Sequence, residues 1–301
     1  EFLAALRNSP IAIDTSTANT QHYELPTAFF AQVLGKHMKY SGCVWDENVE
    51  SLDDAEEAAL REISARAELS NGQRILELGC GWGSLTLWMA ARYPQSQITA
   101  VSNSSSQREW IEAECQSRNL DNVRVITADM NDFQPSAQFD RIVSVEMFEH
   151  MRNYERLFRR IASWLMPDGR LFVHIFAHRS TPYLFESQGS HDWMSNHFFS
   201  GGIMPSYDLF ASFSHDLTLV ARWWRDGTHY EKTANAWLRN FDRNRSTIRR
   251  IFRQTYGPAQ AERWLHRWRA FFMACAEMFG FKNGTEWGVA HYTFVRRSRE
   301  C

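Results

Sequence analysis

The chain has 301 residues, of which 44% are hydrophobic and 23% are charged, with only 8 prolines and 15 glycines. This composition excludes a disordered or fibrous chain, and the length allows one elaborated domain or two modest ones. The formal net charge of −2 gives no electrostatic reason to expect nucleic acid as a partner.

The cysteines argue for a reducing environment. There are 5 of them, without a CxxC pair or metal-ligand spacing, and their odd number argues against a disulfide framework. We therefore expect no metal site and a cytoplasmic location. The chain begins at Glu1 without a charged leader or a long apolar run, which predicts neither a signal peptide nor a membrane-spanning helix. The missing initial Met leaves a removed leader open.

Hydrophobic periodicity predicts a helix over residues 53–68, with acidic residues in its first turn, where they suit the helix dipole. Five strands that alternate with helices follow. These strands are predicted at 74–83, where the chain runs into three glycines, and at 97–104, 123–130, 139–148 and 169–177. The helix before the fifth strand stops at Pro167 and Gly169. Such alternation predicts an α/β fold, with a doubly wound parallel sheet over roughly residues 70–180 and ligands at the carboxyl ends of its strands.

The regions around this sheet are predicted to be helical, except for the end of the chain. Residues 1–70 are expected to form an N-terminal helical segment that covers the site, and residues 71–180 the ligand-binding core. Residues 181–285 are expected to form a helical lid, which also binds the substrate, placed between strands of the same sheet. In residues 286–301, aromatic and β-branched residues alternate and predict a last strand that completes the sheet.

The stretch LELGCGWG places Gly79, Gly81 and Gly83 between the first predicted strand and a helix. Glycine suits a tight turn in which backbone approaches a ligand. A tight turn without a ligand is the alternative, because a single G-x-G is a weak signal. A phosphate loop would need GK[ST], and a dinucleotide site would need an acid at the end of the second strand, where Ser102 and Asn103 stand.

The stretch VEMFEHM places Glu146, Glu149 and His150 directly after the fourth predicted strand. Burying charge at the end of a core element is costly unless a partner offsets it. Two interpretations are open: a catalytic acid–base site at the edge of the sheet, and an ordinary helix start, where acids are common. Glu146 lies further inside than Glu149 and is interpreted as a structural or cofactor-side group.

Several long motifs follow one another in a fixed order over nearly the whole chain. They are HYELPTAFFAQVLGKHMKYSGCVW (22–45), LELGCGWGSL, ITAVSNSSSQ, ADM and FDRIVSVEMFEHM. Together they resemble the S-adenosylmethionine-dependent methyltransferases of the cyclopropane fatty acid synthase group. VEMFEHM, HYELP, FFMACAEMFG and EWGVAHYTF look closer still to its coclaurine N-methyltransferase branch. The resemblance implies a Rossmann-like class I methyltransferase fold: a doubly wound, mainly parallel sheet with an antiparallel last strand, an N-terminal helical segment and helical lid insertions.

The resemblance implies S-adenosylmethionine as the cofactor and S-adenosylhomocysteine as its product. The three glycines would pass the amino-acid and ribose portions of the cofactor. Ser102, Asn103 and Gln107 would replace the usual acid near the ribose, because hydroxyls and amides can hold a diol without a charge. Asp129 and Met130 would hold the adenine. The remaining implied cofactor residues are Tyr40 and Ser41, which would close the methionine end, and Val145.

The same resemblance implies N-methylation of a small aromatic or heterocyclic amine, of the benzylisoquinoline or tetrahydroisoquinoline type. A secondary amine is mostly an ammonium at neutral pH and must lose its proton before it can accept a methyl group. Glu149 and His150 are therefore predicted to be catalytic, and Glu24 of HYELP is the second acid that could face the amine. The implied substrate-binding residues are Tyr23, His174 and Tyr230.

A lipid substrate is the alternative within the group. Its synthases deprotonate a methylated carbocation with a bound bicarbonate, and the resemblance implies Glu149, His174 and Tyr230 as three of the groups that hold it. Gly42 stands where the synthases usually have cysteine, which weakens this interpretation. A catalytically inactive cofactor-binding protein is a third hypothesis, against which the intact glycine loop argues.

The expected partner is a small-molecule amine, without stable membrane association. The basic stretch 239–253 could lie on anionic lipid, but a solvated helix face is the favoured interpretation. A homodimer is left open.

Overall fold

A computed structural model describes residues 1–13, 25–185, 198 and 201–297 of the chain. The strands of the described part are β1 (Arg74–Leu78), β2 (Gln97–Ser102), β3 (Val123–Thr127), β4 (Phe139–Val145), β5 (Leu165–His178), β6 (Tyr183–Leu184), β7 (Ile203–Met204), β8 (Leu217–Asp226) and β9 (Trp287–Arg296). Seven of these strands form one sheet in the order β3-β2-β1-β4-β5-β9-β8.

Helices cover the sheet and form the region after it. The helices are α1 (Phe2–Asn8), α2 (Thr27–Val33), α3 (Leu52–Arg66), α4 (Ser84–Arg92), α5 (Ser105–Ser117), α6 (Tyr154–Trp164), α7 (Gly227–Arg243), α8 (Arg245–Tyr256) and α9 (Pro258–Gly280). Among the helices that are described, none is both long and apolar enough to cross a membrane.

The predicted parallel core is confirmed, because β1 to β5 pair side by side in parallel. The strand order reverses between β1 and β4, since the chain moves outward from β1 to β3 and then returns to the other side of β1. At such a switch point the loops at the carboxyl ends of the two strands separate and leave a crevice for a ligand. The glycine loop after β1 and the stretch VEMFEHM after β4 therefore meet at this crevice.

The last strand agrees with the prediction, whereas the strand before it was not predicted. β9 pairs antiparallel with β5, as expected, and lies inside the sheet. The edge strand is β8, which pairs antiparallel with β9 and falls within the region that was predicted to be a helical lid. The stretch LTLVARWWRD carries β-branched and aromatic residues that favour a strand, so a signal for β8 was present in the sequence.

An aromatic cluster joins the N-terminal segment to the helices α7, α8 and α9. Phe29 of α2 contacts Trp268 of α9 with ring centroids 4.9 Å apart, and it also lies 5.1 Å from Phe252 of α8. Trp268 is fully buried. Burial of large rings in such pairs contributes more than their area alone. The covering segment and the C-terminal helices therefore form one packed unit over the sheet.

We expect Trp268→Ala to lower the free energy of unfolding by about 3–5 kcal/mol, the usual cost of emptying the space of a large buried aromatic side chain. Urea denaturation followed by circular dichroism measures the loss. The matched control is Trp264→Ala, one turn earlier on α9, because Trp264 is only partly buried. Equal losses in the two variants would contradict the structural role given to the cluster.

Candidate functional site

Two neighbouring cavities open at the carboxyl ends of the parallel strands. The first cavity lies along the loops after β1, β2, β3 and β4, and the second lies between the sheet and the helices α7 and α9. Tyr40, Glu146 and His150 line both. Molecules bound in the two cavities would therefore meet at these three side chains.

The first cavity brings together almost all of the residues that the sequence assigned to a cofactor. Gly83 is the exception and does not line it. The assigned residues that do are Tyr40, Ser41, Gly79, Gly81, Ser102, Asn103, Gln107, Asp129, Met130 and Val145. The assignment of these residues to a cofactor stays a prediction, and their common location is consistent with it.

The glycines after β1 have different local roles, although all three have positive φ. A Cβ at Gly79 would approach Met147 to 2.6 Å, and a Cβ at Gly83 would approach Ile111 to 2.7 Å. Gly83 immediately precedes the first turn of α4. Its lack of a side chain allows the start of this helix to pack against Ile111. At Gly81 a Cβ would meet no protein atom within 4 Å, so this glycine leaves open space beside the first cavity.

Polar side chains line the part of the first cavity that follows β2 and β3. The Ser102 hydroxyl donates to Oε1 of Gln107 at 2.6 Å, which fixes the amide of that side chain. Nε2 of Gln107 and the hydroxyl of Ser84 are buried and have no hydrogen-bond partner among the described residues. Buried polar groups normally have partners, so these atoms fit a cavity whose ligand carries hydroxyl or carboxylate oxygens.

Lys39 is a buried cation on the first cavity that the sequence analysis did not select. Its side chain is 2% exposed, and Nζ donates to the hydroxyl of Ser41 at 2.5 Å and to the carbonyl of Gly42 at 2.7 Å. Lysine is rarely buried without partners. A single lysine in a loop does not form a sequence pattern that predicts its burial.

The second cavity is mainly apolar and aromatic. Its polar part consists of Glu146, Glu149, His150 and the hydroxyls of two tyrosines. The remaining lining residues are Phe176, Phe185, Met204, Trp237, Phe271, Cys275, Met278 and Phe279. Rings of this kind bind flat apolar molecules, and their faces also attract a cation.

Glu146 is the centre of the polar groups, and it lines the first cavity, which is consistent with its interpretation as a cofactor-side group. It follows β4 directly with a φ of +46°, a conformation that is rare outside glycine and is found at functional sites. Tyr230 donates to its Oε2 at 2.8 Å, the backbone N–H of Gly42 lies 3.1 Å from its Oε1, and His174 Nε2 lies 3.3 Å from the same oxygen. The structure thus groups His174 and Tyr230 with Glu146, whereas the lipid interpretation had grouped them with Glu149.

The two glutamates differ in their surroundings. Burial raises the pKa of Glu149 well above its ordinary value, and the charge of Glu146 raises it further. Its Oε2 has no hydrogen-bond partner in the described part of the chain. Burial also raises the pKa of Glu146, and the charge of Lys39 and the donors Gly42 and Tyr230 offset only part of that rise. When one of the two acids is ionised, we therefore assign the negative charge to Glu146 and the proton to Glu149.

His150 completes the group as a neutral base. Burial lowers its pKa to about 4, against a smaller opposing effect of Glu146. An imidazole with this pKa is neutral at pH 7 and has a lone pair to accept a proton.

Two of the predicted site residues, Tyr23 and Glu24, lie outside the described residues, and their roles stay predictions. In the parts of the chain that are described, no group of three or more His, Cys, Asp or Glu side chains could hold a metal ion.

Comparison with known proteins places the chain among methyltransferases. A family model described as mycolic acid cyclopropane synthetase matches residues 12–286. A (S)-coclaurine N-methyltransferase of Thalictrum flavum subsp. glaucum is 38% identical over 297 residues, 97% of this chain and 82% of the relative. The cyclopropane-fatty-acyl-phospholipid synthase of Escherichia coli (strain K12) is 31% identical over 223 residues, 73% of this chain and 55% of that protein.

A solved structure agrees closely with the fold. It is a crystal structure of coclaurine N-methyltransferase bound to N-methylheliamine and SAH, with a TM-score of 0.94 and 38% sequence identity. The match covers 98% of this chain and 86% of that chain.

One further acid on the first cavity allows a test of its environment. Glu77 of β1 is 2% exposed, and the hydroxyl of Thr86 donates to it at 2.5 Å. Burial raises the pKa of Glu77 to about 8, above the value of about 4.3 expected in an unfolded chain. The folded protein therefore holds this proton at pH values where the unfolded chain has lost it.

We expect Glu77→Gln to make stability less dependent on pH. The stabilising contribution of neutral Glu77 is fully present below about pH 4 and is lost as the pH rises toward 8, at about 1.4 kcal/mol per pH unit. Urea denaturation of the ligand-free protein at pH 5 and pH 8 measures the difference, which should shrink in Glu77→Gln. The exposed Glu109 supplies the control Glu109→Gln, and a wild-type pH dependence in Glu77→Gln would refute the assignment.

Proposed function

The chain belongs to the mycolic acid cyclopropane synthetase family, and we propose that it transfers a methyl group from S-adenosylmethionine to the nitrogen of a small aromatic or heterocyclic amine. The substrate class is the benzylisoquinoline or tetrahydroisoquinoline type, as in the similar N-methyltransferases. The observation that carries the proposal is the second cavity, in which aromatic rings surround a carboxylate that also faces the first cavity.

The first cavity fits S-adenosylmethionine, which supplies an electrophilic methyl group on a sulfonium. Gln107 has a buried amide nitrogen without a partner among the described residues, and it lies beside Ser102 and Asn103, where neutral donors and acceptors suit a ribose diol. Asp129 and Met130 suit the adenine. The open space at Gly81 allows the backbone to approach the amino-acid portion of S-adenosylmethionine closely.

Methyl transfer to nitrogen needs a lone pair on the acceptor and alignment of the acceptor with the donor. The neutral imidazole of His150 is placed to take the proton of an ammonium at the boundary of the two cavities. The carboxylate of Glu146 lies at the same boundary and stabilises the positive charge of the amine, both before and after methylation. The aromatic rings of the second cavity hold the substrate and exclude water.

Glu149 is proposed as a further member of the catalytic group. As a neutral carboxyl on the wall of the second cavity, it would donate a hydrogen bond to the substrate. A substrate ammonium would offset the charge of Glu146 and make ionisation of Glu149 easier. Glu24, in the predicted N-terminal cover, is proposed as a further acid that faces the amine.

Methylene addition to the alkene of a lipid is the second candidate, favoured by the relative from Escherichia coli and by the grouping of a glutamate, a histidine and a tyrosine. In this chain, however, His174 and Tyr230 hydrogen-bond to Glu146 itself. A Cβ at Gly42 would lie 3.1 Å from the ring of Tyr230, so a cysteine side chain at this position would require Tyr230 to shift. These contacts favour the amine.

The proposed function is tested by release of S-adenosylhomocysteine from S-adenosylmethionine over a panel of acceptors. The panel contains tetrahydroisoquinolines with a secondary nitrogen, simple aliphatic amines, and vesicles of unsaturated phospholipid. We expect turnover with the tetrahydroisoquinolines and formation of the N-methyl product, identified by mass spectrometry. If the phospholipid vesicles are the only acceptors in the panel that are methylated, the proposed amine reaction is wrong and the lipid reaction is favoured.

We expect Gly81→Ala to weaken the binding of S-adenosylhomocysteine about tenfold or more, because a methyl group that crowds a close contact costs about 1–3 kcal/mol. Isothermal titration calorimetry measures the affinity. Gly72→Ala is the matched control, since Gly72 also has positive φ and open space at its Cβ but does not line the cavity. Equal affinity in the two folded variants would contradict the placement of the cofactor.

We expect His150→Ala to lower kcat/KM for a secondary amine by roughly 10²–10⁴-fold at neutral pH, the range of a general-base contribution. The defect should shrink as the pH rises, because more of the amine then arrives without its proton. The measurement is kcat/KM from pH 6 to pH 10, with His215→Ala as the control at an exposed histidine. A loss that is the same at every pH would exclude His150 as the base.

A further inference from the structure

A line of buried polar side chains leads from Glu146 through the sheet to the end of α3. His174 of β5 and His291 of β9 are directly opposite each other in the antiparallel pair, and they are 3% and 2% exposed. Nδ1 of His174 lies 2.8 Å from Nε2 of His291. Nη1 of Arg66, the last residue of α3, lies 2.6 Å from Nδ1 of His291.

The chemistry of the guanidinium fixes the direction of every hydrogen bond in this line. Arginine can only donate, so Nδ1 of His291 must present its lone pair to Arg66. A neutral imidazole carries one proton, and that of His291 must therefore be on Nε2, from which it donates to Nδ1 of His174. The proton of His174 is then on Nε2 and is donated to the carboxylate of Glu146, 3.3 Å away.

The surroundings keep both rings neutral. Burial lowers the pKa of His174 and of His291 well below the ordinary value, and the charges of Arg66 and Lys39 lower both further. Arg225 adds a third cation that acts on His291, and Glu146 is the anion at the far end. The opposite tautomer of the pair would turn the lone pair of His174 Nε2 toward the carboxylate, where the two would repel each other.

We propose that Arg66 and His291 are positioning residues that hold His174 in its Nε2–H tautomer, so that Glu146 receives a third donor and remains the anion between the two cavities. Neither residue touches the cavities, and both act through His174. The effect of Arg66 and His291 on catalysis rests on the proposed function. The tautomer of His174 does not depend on that function. Arg66 and Arg225 both form ion pairs with Glu62.

Nitrogen-15 NMR of histidine side chains tests the tautomer directly, because a protonated ring nitrogen and a nitrogen with a free lone pair have different chemical shifts. Signals are assigned by their disappearance in His174→Gln and His291→Gln. In the wild-type protein at neutral pH, without ligands, we expect a proton on Nε2 and a lone pair on Nδ1 for both residues. A proton on Nδ1 of His174 in the wild type would overturn the proposal without any variant.

Arg66→Met removes the donor and keeps most of the apolar stem. We expect the Nδ1 signal of His174 to move toward the protonated form, because His291 is no longer held as its donor. The matched control Glu62→Gln removes the ion pair but leaves Arg66 in place, and it should keep the wild-type signal. An unchanged Nδ1 signal in folded Arg66→Met would mean that Glu146 alone selects the tautomer and would overturn the proposal.

The catalytic half is tested on an amine that the wild type methylates. We expect Arg66→Met to lower kcat by about tenfold to a hundredfold, by analogy with the outer partners that orient metal-bound imidazoles. KM for the amine and the affinity for S-adenosylhomocysteine should stay close to wild type. If Arg66→Met changes the tautomer of His174 but keeps the wild-type kcat, the catalytic part of the proposal is wrong. Absence of amine turnover by the wild type would refute the proposed function and leave the NMR test of the tautomer intact.

Discussion

The structure depends on one buried carboxylate, that of Glu146 at the end of β4. An ionised carboxylate in the protein interior is costly unless donors replace the water it loses. Here the donors come from three separate parts of the chain: Gly42 from the N-terminal segment, His174 from β5 and Tyr230 from α7. The same interaction that keeps the charge buried therefore also holds the cover, the sheet and the C-terminal helices around it. Glu146 also has a φ of +46°, which is a strained conformation for this residue type.

The arrangement of the site follows from this position. Because the carboxylate lies where the two cavities meet, a methyl donor in one and an amine in the other would share a single fixed charge. That charge raises the pKa of Glu149. Of the two acids, Glu146 is therefore the anion and Glu149 is the protonated carboxyl. In the proposed function, His150, which is neutral through burial, accepts the proton of the amine. On the other side of Glu146, the line of His174, His291 and Arg66 orients one of its donors.

The sequence predicted the parts of the molecule that local pattern determines. Apolar strands that alternate with helices predicted β1 to β5, and the glycine loop was correctly placed between β1 and α4. β8 was missed because the helical pattern that follows it dominated the interpretation of this region. No pattern in the sequence indicated that Glu146 lines both cavities, because its partners His174 and Tyr230 are distant in the chain. Lys39 was not selected because a single lysine in a loop forms no pattern that predicts its burial. Arg66 was not selected because its partner His291 is distant in the chain. The cytoplasmic location and a homodimer stay predictions.

The central claim is that Glu146 carries the charge and Glu149 the proton, and one comparison tests it directly. The measurement is kcat/KM at neutral pH for one secondary amine with Glu146→Gln and Glu149→Gln, with S-adenosylhomocysteine affinity measured alongside. Glu146→Gln removes a negative charge and should lose roughly 10²-fold or more, within the range of acid–base groups. Glu149→Gln replaces a neutral carboxyl with a neutral amide of the same shape and should retain most of its activity. A larger loss in Glu149→Gln than in Glu146→Gln would contradict the account.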